Sequence, residues 1–174
     1  MQFKNLALAA LTAAPALADF QVYCGDEFNG FDGTGDVVDC FFFNHADVSC
    51  DDVVFNSVPH ISESDVSGNC GGMRCAGCDK SKSPRDWDIT ELEFNDSQGC
   101  SPSHQYWSIE NQDGDLHFTI YHNGDSVSII GSDGQDYGHC SVPSDPQQVQ
   151  CSDALGNFGL SHHFDCQSPL QYLG

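Results

Sequence analysis

"HFTIYHNGDSVSII", residues 117 to 130, decides the fold. Two runs of alternating apolar and polar residues flank Asn123-Gly124, and both turn residues tolerate the positive φ of a type I′ turn. The stretch therefore predicts an antiparallel hairpin. A two-residue turn at that pair sets Ile120 opposite Val127 and Phe118 opposite Ile129, with Thr119 and Ser128 paired on the other face.

Two more turn signals extend the pattern in both directions. "ENQDGD" (110–115) precedes the hairpin and "SDGQ" (132–135) follows it. A four-residue loop at Asn111 to Gly114 places Trp107 opposite Phe118 and Ile109 opposite Leu116. A tight turn at Asp133-Gly134 places Cys140 opposite Val127 on the same apolar face, where its disulfide ties the meander to the rest of the chain. "WDITELEFND" (87–96) supplies a further strand, and the phase shift between Ile89 and Leu92 predicts a bulge. The meander spans about residues 87–140.

Elsewhere, short apolar runs alternate with turns rich in Gly, Asp, Asn and Ser, and no window carries a long helical period with caps. "FQVYC" (20–24) reads as a first strand and "FGLSHHFDC" (158–166) as a last one. "VVDCFFF" (37–43) is apolar on both faces, which fits a buried strand or a fully covered helical turn. Residues 49–67 read as a short helix or an irregular loop. One apolar sheet face needs a second layer to cover it. The expected fold is mainly β: a single disulfide-rich antiparallel β-sandwich or open barrel.

The N-terminus "MQFKNLALAALTAAPALA" combines one Lys, an apolar run and a small-x-small ending, the pattern of a secretory signal peptide cleaved after Ala18. Residues 1–18 are thus expected to be a signal peptide and 19–174 one secreted domain, with no membrane span. All ten cysteines (Cys24, Cys40, Cys50, Cys70, Cys75, Cys78, Cys100, Cys140, Cys151 and Cys166) lie in the mature part. An even number in an oxidising compartment predicts five disulfides whose connectivity spacing does not reveal. Cys75-x-x-Cys78 lies among Gly71, Gly72 and Gly77, which favours a loop staple or distant partners over a redox pair at a helix start. A zinc site would want a second closely spaced pair.

Once the leader and its Lys4 are removed, four cations stand against 26 carboxylates, a formal charge of −22. Such a field repels phosphate backbones, so nucleic acid is not an expected partner. The four cations, Arg74, Lys80, Lys82 and Arg85, fall within twelve residues. They read either as a solvated loop making ion pairs or as a docking loop for an acidic partner.

The predicted register leaves Tyr106, Ser108, His117, Thr119, Tyr121, Ser128, Ile130, Tyr137 and His139 on the face opposite the apolar one. Aromatics among hydroxyls and imidazoles suit a sugar ring. The expectation favoured here is that Phe41 to Phe43 cover this face instead, because a bare patch of that size is uncommon. Tyr106, His117, Tyr121, Tyr137 and His139 are the candidate ligand residues.

Catalytic signatures are missing: there is no H-E-x-x-H, G-x-S-x-G or EF-hand loop. His162 and His163 point to opposite faces of a strand and so do not share a ligand. Asp26, Asp32 and Asp36 could hold Ca²⁺, but Asp and Gly are also ordinary turn residues; no metal or cofactor is expected. A small hydrolase would set His117 or His139 beside Glu110 with an arginine. Asn95-Asp96-Ser97 matches the N-glycosylation acceptor and falls at an expected strand end.

The leader, the short mature chain and the ten cysteines together resemble the small secreted cysteine-rich proteins of filamentous ascomycete fungi. "WDITELEF", "YWSI" and "GDLHFTIY" are similar in strand order to the Alternaria major-allergen-like β-barrel family. The first resemblance implies an extracellular, effector-like binding protein without enzymatic activity, acting on a host or cell-wall protein or glycan. The alternatives are a carbohydrate- or metal-binding cell-wall module and, third, a small secreted hydrolase.

Overall fold

A computed structural model of the chain describes residues 18–28, 37–55, 60–62, 66, 70–98, 107–109, 117–152 and 157–172. The expected signal peptide lies outside them apart from Ala18.

The chain runs through β1 (Ala18–Phe28), β2 (Val37–Phe43), the short helix α1 (Cys50–Phe55), β3 (His60–Ser62) and β4 (Cys70–Ala76). A 3₁₀ turn (Pro84–Asp86) leads to β5 (Glu91–Gln98), β6 (Trp107–Ile109), β7 (His117–Asn123), β8 (Ser126–Gly131) and β9 (Asp136–Ser141). Then follow β10 (Gln148–Ser152), β11 (Asn157–Ser168) and β12 (Leu170–Tyr172). Ten strands form one antiparallel sheet in the order β3-β2-β1-β11-β9-β8-β7-β5-β4, with β10 also on β11; β6 and β12 form a separate pair. The sheet is curled into a half-barrel, the open-barrel form of the expected mainly β fold.

The curl has a visible cause. Phe20 lies 6.2 Å from Phe42, Phe42 meets Phe94 edge-on at 4.9 Å, and Phe94 meets Phe118 at 5.2 Å. This aromatic chain joins strands far apart in the sheet order across the concave side. Met73, Leu92, Ile120, Ile129 and Leu170 complete that core at 0–1 % exposure. Burying each such side chain contributes roughly 1.5–3 kcal/mol, enough to offset the backbone ordering of its own residue.

A second, smaller core lies on the convex side, where Tyr23, Phe41, Phe43, Val149 and Leu160 pack together and Cys50 and Val53 of α1 lie against them. The 37–43 run is therefore a strand buried on both faces. Phe42 points inward while Phe41 and Phe43 point outward, so these rings do not cover the convex face of the meander. Period-2 alternation splits three consecutive phenylalanines between two cores.

The hairpin at 117–130 forms, with its register moved by two residues. Ile120 faces Ile129, Phe118 faces Gly131, Thr119 faces Ile130 and Tyr121 faces Ser128. Gly124, at φ +61°, takes the first central turn position and Asp125 the second. That is the Gly-X arrangement of a type II′ turn, whose twist also suits a hairpin. A slip of two preserves which residues face the core, so the inner and outer sets survive. Val127 faces Cys140 as expected.

Residues 107–109 do not belong to the meander. Phe118 pairs with Phe94 of β5, and Trp107 pairs with Tyr172 of β12. Leu92 and Phe94 match Ile120 and Phe118 in both register and face, and this apolar pairing wins. Ile89 and Leu92 are both buried, but the phase shift between them marks the approach to β5, not a bulge within it.

Among the described residues, four disulfides are formed. Cys24–Cys40 and Cys140–Cys166 cross between paired strands, Cys50–Cys151 ties α1 to β10, and Cys75–Cys78 closes on itself at the end of β4. The expected fifth bridge concerns Cys70 and Cys100; Cys100 and the Cys70 side chain lie outside what is described.

Candidate functional site

Strand β11 carries a bulge. Val22 faces Phe164 and Tyr23 faces His162, which leaves His163 without a partner on β1. The extra residue resets the alternation, so His162 turns to the convex side and stacks on Tyr23 at 4.7 Å, while His163 stacks on Trp87 at 6.1 Å. The two histidines do point apart, and the bulge is what parts them. Burial, then neighbouring His162, pushes the His163 imidazole down to about 4 against the pull of the Pro84 carbonyl.

Beyond the bulge, Gln21, Asp165 and Ser141 form one row across β1, β11 and β9, and Gln167 pairs with His139 in the next. With Asn44, His45 and Ala46 after β2, these rows line a cleft of about 390 Å³ that also touches Phe20 and Cys166. The Cys140–Cys166 bridge lies under it.

Asp165 is held from behind. Gln21 Nε2 donates to Asp165 Oδ1 at 3.0 Å, and His162 Nε2 lies 3.0 Å from the same oxygen and 3.2 Å from the Phe164 carbonyl. Both neighbours are acceptors, so this nitrogen carries the hydrogen. Tyr23, against which His162 stacks, donates its hydroxyl to Gln147 Oε1 at 2.8 Å, and Gln147 Nε2 donates to the Val48 carbonyl at 3.1 Å. Burial, helped by Asp165 and Asp47, pushes the Tyr23 hydroxyl up to about 12, so it stays a donor. This layer fixes the carboxylate's direction while leaving it 42 % exposed to the cleft. On the opposite wall His45 Nδ1 donates to the Ala46 carbonyl at 3.0 Å.

A second polar cluster sits on the convex face of β4, β5 and β7. Arg74 contacts Glu93 and lies 3.6 Å from Glu91, while His117 Nε2 lies 2.8 Å from the other oxygen of Glu93. His, Glu and Arg side by side would suit phosphodiester chemistry, but two carboxylates already neutralise this arginine. Glu110, expected beside the histidines, lies outside the described residues. With Arg74 63 % exposed, the cluster is a surface ion-pair network.

The candidate ligand face is divided. His117 and Tyr121 stay on the convex side of β7, and His139 lines the cleft. Tyr137 leaves the set, because the register shift between β8 and β9 turns it over Gly131 and against the concave core, with its hydroxyl donating to Asp133. Tyr106 lies outside the described residues.

All four cations of the basic loop are exposed, and Arg74 and Lys82 are paired within the chain, Lys82 with Asp79 at 3.3 Å. Asn95, the glycosylation candidate, lies within β5, 5 % exposed, with its Nδ2 donating to the Val66 carbonyl. Asp26 sits in β1, while Asp32 and Asp36 lie outside the described residues. Among the described residues no group of three or more His, Cys, Asp or Glu is placed to hold a metal ion.

Sequence reasoning missed Gln21, Asp165 and Gln167. Alternation in β1 and β11 puts them on one face, but only the pairing of the first strand with the last brings them together. No family model, curated protein or solved structure matches the chain.

Proposed function

We propose that this is a secreted, effector-like binding protein without enzymatic activity, whose cleft between β1, β11 and β9 takes a neutral, hydroxyl-rich glycan segment. The observation that carries the reading is the pre-set Asp165 carboxylate, oriented by Gln21 and His162 in a cleft whose other polar walls are amides, a hydroxyl and imidazoles, beside Phe20, Ala46 and Cys166. Planar acceptors and donors on a rigid wall suit sugar hydroxyls, and fixing them beforehand lowers the ordering cost of binding. The formal charge of −21 over the whole chain favours neutral over anionic ligands. Support for an extracellular setting comes from the disulfides, and among the described residues no helix is long and apolar enough to cross a membrane.

Calorimetric titration with soluble chitin and β-glucan oligosaccharides tests the reading. Binding is expected, and Asp165→Ala should weaken it about tenfold or more, the worth of a charge-assisted hydrogen bond. A wild-type protein that binds none of them, or equal affinity in the variant, would refute it.

A further inference from the structure

The Cys75–Cys78 bridge is built differently from the other three described. It encloses two residues, Ala76 and Gly77, whereas the others span 16, 26 and 101 positions. Both of its cysteines are only partly buried, at the edge of the concave core, as Cys50 is at the edge of the other, while Cys24, Cys40, Cys140, Cys151 and Cys166 are 0–7 % exposed.

The backbone around it is held by other means. The Ala76 carbonyl accepts from Thr90 N at 2.9 Å, Lys82 N donates to the Asp79 carbonyl at 2.8 Å, and Cys75 pairs with Leu92 in the ladder. Gly77, at φ +102°, lies so close to the Asp88 carbonyl that a Cβ would meet it at 1.9 Å. Opening the bridge therefore leaves two thiols on a retained scaffold, with their Cα atoms 5.7 Å apart in the closed form. A pair held so close recloses intramolecularly rather than stopping at a mixed disulfide.

Charge favours the same place. The attacking species in disulfide exchange is a thiolate, an anion, and the acidic body of this protein repels it. Arg74, Lys80, Lys82 and Arg85, every Lys and Arg of the chain except Lys4, lie close to this bridge in sequence; Arg74 and Lys82 are ion-paired within the chain, so what they provide is local relief from the acidic field rather than a bare positive patch.

From size, exposure, backbone support and charge together, we infer that Cys75–Cys78 is a thiol–disulfide exchange site, whose co-substrate is a small anionic thiol. A thiolate attacks one sulfur, the Sγ–Sγ bond breaks, and the departing sulfur takes up a proton. A second thiolate displaces the first from the mixed disulfide, releasing the external disulfide and the second protein thiol, which is also protonated. Two external thiols are oxidised, and the protein gains two electrons and two protons.

The test uses the oxidised full-length mature protein, exposed to limiting reduced glutathione, sampled over time, blocked with iodoacetamide and mapped by mass spectrometry. Cys75 and Cys78 should be labelled together about tenfold or more ahead of the other three bridges, and oxidised glutathione should reclose them. Labelling no faster than the core bridges, or a stable mixed disulfide that does not resolve, overturns the assignment. Lys80→Gln with Lys82→Gln should slow the attack severalfold at low salt, and an unchanged rate removes the steering argument. A Cys75→Ser/Cys78→Ser protein should keep its spectrum and lose the fast phase; a fast phase that persists places it at another bridge.

Discussion

Replacing His163 by Phe should flatten the acid side of this protein's stability curve. In the fold its imidazole titrates at about 4 instead of 6.5, chiefly because it is buried. Above pH 6.5 the group is neutral in both states, and its contribution is intact. As pH falls below 6.5 the unfolded chain takes up a proton that the folded chain refuses, so stability is lost down to about pH 4. At about 1.4 kcal/mol per pH unit, the gap amounts to about 3 kcal/mol. For a urea slope of roughly 1–3 kcal/mol/M, that moves the unfolding midpoint by about 1–3 M.

Phenylalanine keeps the ring against Trp87 and gives up the bond to the Pro84 carbonyl, at about 1 kcal/mol. Phe also removes the buried, unpartnered Nε2, so the expected signature is the change with pH: the variant gains about 2–3 kcal/mol on the wild type between pH 7.5 and pH 4.5. Carboxylates titrating over the same range act on both proteins and drop out of the difference. Urea unfolding of the disulfide-intact proteins, followed by fluorescence at several pH values, measures it. Stability curves that stay parallel from pH 7.5 to 4.5 would refute the reasoning.

Two other perturbations follow from the cores. Asp39 is 1 % exposed and neither of its carboxylate oxygens has a hydrogen-bond partner, so Asp39→Asn should stabilise by about 1 kcal/mol and raise Tm by about 2–4 °C; a fall in Tm by scanning calorimetry counts against it. Cys50–Cys151 closes a span of 101 positions, and replacing both by Ser should cost about 4–5 kcal/mol. The expected drop in Tm is about 10–20 °C; one of only a few degrees would mean that α1 and β10 hold the convex core without the link.

By itself the sequence determined the class of fold, the position of the main hairpin and the face each of its residues takes. Those follow from period-2 alternation and turn chemistry, which act within a few residues and are legible locally. It also placed Cys140 opposite Val127, although the turn between β8 and β9 is one residue longer than expected and a bulge in β9 restores that register. Tertiary structure decided the rest: that β5, not β6, lies beside β7; that Phe42 enters one core while Phe41 and Phe43 enter another; that Cys75 closes on Cys78; and that β1 pairs with β11 to bring Gln21 to Asp165. These are choices among partners distant in the chain, settled by how apolar surfaces fit once the sheet curls, and local pattern carries no record of them. The bulge at His163 belongs with them, since one unpaired residue changes which side chains meet without changing the composition of the strand.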